Sequence, residues 1–193
     1  WLNKIKELKK LPKKYGAEID LRSKGSKIFL NHDPYKNGDT LENYLSNYNH
    51  GTLILNIKES GIEKDVIKIA KKFKIKSFFL LDVEIPFIFQ NNKNINKNIS
   101  VRYSEYEPID TAKRFVNNIG WIWIDTFNTL PLNRNIVNTL KKFKSCLVCP
   151  ERWNRPQDIF LYYKKMKLQK FFPNLVMTSQ KNFSRWEKLI SEN

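Results

Sequence analysis

A chain of 193 residues, 41% of them hydrophobic, has room for one sizeable core and is too apolar for wholesale disorder. Its 35 basic residues outnumber 19 acidic ones, giving a net charge of +16, a surplus that attracts nucleic acid, an anionic membrane surface or a negatively charged substrate. No run of about 18 apolar residues occurs, which excludes a hydrophobic spanning helix.

In chain order, the opening "WLNKIKELKKL" has helical spacing, with its lysines on a solvated face. Eight short β-like runs follow: "AEIDLR", "SKIFLNH", "TLILNIK", "SFFLLDV", "SVRYSE", "WIWIDTF", "SCLVCPE" and "NLVMTS". Most are near-continuous apolar runs, as expected for parallel strands covered on both faces. Helical patterns alternate with them: "TLENYLSNY", "GIEKDVIKIAKKF", "PIDTAKRFVNN", "NRNIVNTLKKF" and "RPQDIFLYYKKMKL". Asp, Thr or Asn stands near the start of several of these. No Gly/Ser or Pro-rich linker divides the chain, so a single domain over residues 1–193 is expected.

The "KGSK" turn is too short for a parallel crossover and predicts a hairpin over residues 17–32. Discounting its returning arm leaves seven parallel strands and a helix with no strand ahead of it. That count predicts an α/β (β/α)8 barrel whose first strand lies outside this chain, with an open doubly wound sheet as the rival. Polar residues recur at the carboxyl ends of the strands, the face on which barrel enzymes build their sites. They are Glu18, Asp20, Asn56, Lys58, Asp82, Arg102, Ser104, Glu105, Asp125, Glu151, Arg152 and Thr178.

Cys146 and Cys149 form a C-x-x-C within an apolar β-like run, where residues three apart face opposite sides. Two core thiols in a reducing, cytoplasmic setting is the expectation, not a zinc or redox site. Trp121 and Trp123 share one face of a strand and read as core.

Glu18 and Asp20 project from the same side of a strand, about 7 Å apart at Cα. Carboxylates so placed repel unless a cation sits between them, and a hard divalent ion such as Mg²⁺ or Ca²⁺ is the natural occupant. The bland alternative is a salt bridge to lysine, with Lys58 the candidate. The hairpin then returns His32 and Asp33 towards the acids.

"GAEIDLR" followed by "KIFLNHDP", then "LILNIKE" and "FFLLDV", resembles the glycerophosphodiester phosphodiesterase family of phospholipase C-like barrels. The likeness runs more loosely through "VRYSEYE", "WIWIDTF" and "LVCPERWNRP". It implies that Glu18, Asp20 and Asn56 bind the divalent cation, Asn56 standing where the family has a third carboxylate. It implies that Lys58 neutralises a phosphoryl oxygen and that His32 is one of two acid–base histidines. The family's other histidine, in a His-Arg pair before the first helix, has no counterpart here. His50 precedes the second parallel strand, at the opposite end of a barrel, and reads as structural.

Arg102, Glu151 and Arg152 are the candidate substrate-binding residues, the arginines because a guanidinium grips phosphate bidentately. The expected activity is metal-dependent hydrolysis of a glycerophosphodiester or similar small phosphodiester. The alternatives are an impaired barrel or basic protein that binds phosphate or nucleic acid without turnover, and an aldolase or isomerase using Lys58 as a Schiff-base nucleophile. No specific nucleic-acid partner is expected, because basic residues are spread among the elements with no recognition module. The sequence does not specify an oligomeric state.

Overall fold

The structure is a computed structural model that describes residues 2–91 and 96–191. The chain is α/β, with strand and helix alternating along most of its length. It divides into two compact units, Trp1–Ser100 and Val101–Asn193. Among the described residues the strands join into two four-stranded sheets, and no closed circuit of eight is seen.

In the first unit the sheet order is β2-β1-β3-β4, from β1 (Ala17–Lys24), β2 (Lys27–Leu30), β3 (Leu53–Ile57) and β4 (Phe78–Leu81). β1 and β2 form the expected hairpin, closed by the Lys24↔Lys27 pair. Gly25, at φ 61°, takes the left-handed turn position that suits glycine. β1 pairs parallel to β3, and β3 parallel to β4. Gly16 enters β1 so close to the next strand that a Cβ there would lie 2.0 Å from the Thr52 carbonyl oxygen.

Register fixes what each face of this sheet carries, because side chains alternate and paired residues point the same way. Ala17, Ile19 and Leu21 stand beside Leu53, Leu55 and Ile57, with Phe78 and Leu80 on β4 completing an apolar row. The opposite row holds Glu18, Asp20, Ile54, Asn56, Phe79 and Leu81. A one-residue slip would exchange the two rows. Ile19, Leu21, Leu53, Leu55, Phe79 and Leu80 are all fully buried.

The helices of this unit are α1 (Ile5–Leu8), α2 (Leu41–Ser46), α3 (Glu63–Lys72) and α4 (Ile85–Gln90). The opening helix is shorter than the sequence spacing predicts. Its first amide, Ile5 N, donates to Asp39 Oδ2 at 2.8 Å, and the chain leaves in tight turns before Pro12. Thr40 caps α2 by accepting from Asn43 N at 3.3 Å. Trp1, at the head of the expected helix, lies outside the described residues.

The second sheet has the order β5-β6-β7-β8, from β5 (Ser100–Tyr103), β6 (Trp121–Ile124), β7 (Lys144–Val148) and β8 (Leu175–Met177). β7 pairs parallel with both β6 and β8. Its helices are α5 (Ile109–Lys113), α6 (Arg134–Leu140), α7 (Ile159–Leu168) and α8 (Phe183–Ser191). Asn133 caps α6 by accepting from Ile136 N at 3.0 Å. Trp121 and Trp123 are buried core residues, and both cysteines are buried free thiols. α4 and α8 have no counterpart among the helical patterns of the sequence.

Candidate functional site

Asp20 lies in mid-strand with no solvent exposure, on the row it shares with Glu18 and Asn56. Burying an ion costs several kcal/mol unless polar groups and charge compensate it. Asn3 supplies part of that compensation through a two-point clamp. Its Oδ1 accepts from Asp20 N at 2.8 Å and its Nδ2 donates to Asp20 Oδ2 at 2.9 Å. Leu2 N donates to Glu18 O, so residues 2 and 3 run alongside this part of β1.

The charge comes from Lys58, which follows β3 directly. Its ammonium is 3.5 Å from Asp20 Oδ1 and 3.5 Å from Asp82 Oδ2, with its side chain 19% exposed. Asp82 follows β4 directly and holds φ 61°, a left-handed conformation that Asp tolerates better than most residues. Asn56 is the register partner of Asp20, and its Nδ2 donates to Glu18 Oε1 at 3.0 Å. Glu18, Asp20, Asn56 and Lys58 therefore gather on one sheet face.

Two oxygens in this cluster are buried with no hydrogen bond: Asp20 Oδ1 and Asn56 Oδ1. Polar atoms removed from water are nearly always paired. Asp20 Oδ1 faces the Lys58 ammonium at 3.5 Å, and together with Asn56 Oδ1 and the Glu18 carboxylate it supplies the oxygen-donor chemistry a hard cation takes. The cluster thus fits the cation that the sequence resemblance implies. Among the described residues no group of three or more His, Cys, Asp or Glu side chains is disposed to hold a metal.

His32 is held differently. β2 ends at Leu30, and in the hairpin register Asn31 is the residue that returns beside Asp20, its N–H donating to Asp20 O at 3.0 Å. The His32 side chain is 53% exposed, and its Nδ1 lies 3.1 Å from Asp33 Oδ1. Asp33 is also 2.6 Å from Lys36 Nζ, and hydrogen bonds from Lys36 and then His32 hold its carboxyl below the ordinary range. His50 accepts no such role: its Nε2 is 3.1 Å from the Leu11 carbonyl oxygen.

The second unit presents its own polar cluster at the ends of its strands. Asp125, immediately after β6, receives Arg102 Nη1 at 3.2 Å, Trp153 Nε1 at 3.2 Å, Trp123 Nε1 at 3.4 Å and Thr126 N at 2.9 Å. Arg102 also lies 3.9 Å from Glu107 Oε1. Glu105 accepts three successive backbone amides, from Phe127, Asn128 and Thr129. Glu151 accepts from Thr178 Oγ1, while its Oε2 is buried with no hydrogen-bond partner. Burial, then the Glu151 charge, pushes the Cys149 thiol well up. Arg152 is exposed, its guanidinium 5.8 Å from the Trp153 ring centroid.

Asn3 is the participant that sequence reasoning missed. It sits in a lysine-rich opening with no motif around it, and only the fold brings it beside β1. Comparison with models of known families, with curated proteins and with solved structures finds no match to this chain.

Proposed function

We propose that this protein is a divalent-cation-dependent phosphodiester hydrolase of the glycerophosphodiester phosphodiesterase type, built on a (β/α)8-type barrel. The observation that carries the reading is the gathering of buried oxygens on register-paired strands, Asp20 Oδ1 facing the Lys58 ammonium at 3.5 Å and Asn56 Oδ1 with no hydrogen bond, beside the Glu18 carboxylate. Glu18, Asp20 and Asn56 would hold Mg²⁺ or Ca²⁺. The chemistry such a cation supplies is Lewis-acid polarisation of a phosphoryl oxygen.

The chain's own residues supply the rest. Lys58, shared between Asp20 and Asp82, is positioned by both and offers its ammonium to charge developing on a phosphoryl oxygen. Asp33, accepting from His32 Nδ1–H, leaves Nε2 as the nitrogen that takes or gives a proton. Asn3 fixes the Asp20 carboxylate through Oδ2, so that Oδ1 keeps one direction, towards Lys58.

The test is hydrolysis of a glycerophosphodiester panel with Mg²⁺ or Ca²⁺ and then with EDTA, alongside Asp20→Asn and His32→Ala. Turnover that requires the cation and Asp20 supports the reading. Turnover indifferent to EDTA and to Asp20→Asn, or none on any substrate, overturns it.

A further inference from the structure

α7 buries one side and leaves the other open. Ile159, Tyr162, Tyr163 and Met166 face the interior. At about 100° per residue, Phe160, Leu161, Lys164, Lys167 and Leu168 fall on the opposite arc, and all are exposed. Leu168 is 78% exposed and Leu161 59%, with Phe160 and the following Phe172 not far below half. Scattered exposed apolar residues are ordinary. Four gathered on one helix and its exit are a patch.

The charge carried by α7 itself has one sign. Every charged residue of α7 is a lysine, and Lys170 follows. Lys165 is committed to the Leu130 carbonyl at 2.7 Å. Lys164 Nζ instead lies 4.6 Å from the Phe160 ring centroid, and Lys167 Nζ 5.8 Å from that of Tyr163. The rings of Phe160, Tyr163 and Phe172 succeed one another at 6.4 and 6.2 Å. Lysines and large apolar side chains thus interleave across this face.

That combination selects among occupants. Two copies meeting through this face would bring lysine against lysine. Single-stranded nucleic acid needs open aromatic faces for stacking, yet ammonium groups sit over two of the rings, and the most exposed residues are leucines with no π-face. An anionic bilayer satisfies both halves, acyl chains taking the leucines and phenylalanines while headgroups pair with the lysines.

We propose that the exposed face of α7, together with Phe172, docks this protein onto an anionic lipid surface. The test is sedimentation of the whole chain with vesicles of phosphatidylcholine alone or mixed with phosphatidylserine. Pelleting is expected with the anionic vesicles only, weakening as salt rises. The pair Leu161→Ser and Leu168→Ser leaves net charge unchanged and is expected to lower the partition coefficient about tenfold or more. The pair Lys164→Glu and Lys167→Glu is expected to lower it by at least roughly five-fold per lysine. The same charge change on α3, Lys68→Glu with Lys71→Glu, serves as the control for general electrostatics and is expected to cost much less. Circular dichroism melts establish that each variant is folded. Equal losses at the two lysine pairs, no effect of the leucine pair, or no pelleting of the parent chain would overturn the proposal. So would a dimer, or an oligonucleotide complex, that the leucine pair dissolves.

Discussion

Asp20 and Asn56 stand side by side on neighbouring parallel strands, each with an Oδ1 that is buried and receives no hydrogen bond. Oxygen donors so placed suit a cation alongside the Lys58 ammonium, which is 3.5 Å from Asp20 Oδ1, and replacing the amide by a carboxylate sharpens the test. Asn56→Asp removes the 3.0 Å bond to Glu18 and sets a third negative charge beside the first two. Without divalent ions the variant is expected to lose about 2–3 kcal/mol of stability. With Mg²⁺ or Ca²⁺ its melting temperature should rise by more than that of the parent. Thermal melts at graded cation concentration measure this, and a variant unresponsive to either ion would remove the cation reading.

Lys58 now carries the positive charge that makes the burial of Asp20 tolerable. Lys58→Met keeps much of the side-chain length and removes the ammonium, leaving a fully buried carboxylate with only Asn3 for support. Breaking a buried ion pair costs about 3–5 kcal/mol. Lys58 retains some solvent contact, so a loss of about 2–3 kcal/mol is expected. Combining it with Asp20→Asn should recover part of that loss, because the orphaned charge disappears. Urea denaturation of the single and double variants measures the coupling.

How far the site was legible follows from which part of it is local. The alternation of β1 and β3 announces Glu18, Asp20, Asn56 and Lys58 on one face, because a period of two and parallel pairing leave little freedom once the strands are recognised. The eight strands among the described residues stand where the apolar runs lie. The hairpin misled in one respect. Its turn is fixed by Gly25, but the register sends Asn31 back to Asp20, and β2 stops before His32. Asn3 was illegible, since nothing local distinguishes it from neighbouring polar residues. α4 opens with Ile-Pro and lacks a polar spacing, so its helical period is hidden, and the opening helix is short because Leu2 and Asn3 bond to Glu18 and Asp20 of β1 while the turns after Leu8 run into Pro12.

Glu105 organises a loop in the second unit by accepting the amides of Phe127, Asn128 and Thr129. Charge-assisted hydrogen bonds are about twice as strong as neutral ones. Glu105→Ala is expected to destabilise by about 2–3 kcal/mol. The effect should be local, with hydrogen exchange at those three amides accelerating while the amides of β6 and β7 keep their protection. Exchange measured residue by residue checks this. Uniform acceleration would mean that the loop and the sheet open together.

The buried tyrosines set an alkaline limit. Burial pushes the Tyr103 hydroxyl up from its ordinary 10.0 to about 12, with the Glu105 charge adding to the shift, and burial raises Tyr44 and Tyr48 further still. The Cys149 thiol shifts in the same direction. In each case the folded state holds its proton to higher pH than the unfolded chain does. The unfolded state therefore sheds protons first as pH rises, and stability declines with pH. For Tyr103 the stabilisation is complete below pH 10 and falls away as pH climbs towards 12. Tyr103→Phe removes a bond to the Pro131 carbonyl oxygen, so it should cost stability near neutrality and flatten the alkaline decline. Denaturation midpoints across that pH range, read with tyrosinate absorbance, test the sign. Midpoints that hold constant for the parent chain would show that these hydroxyls ionise without hindrance in the folded protein.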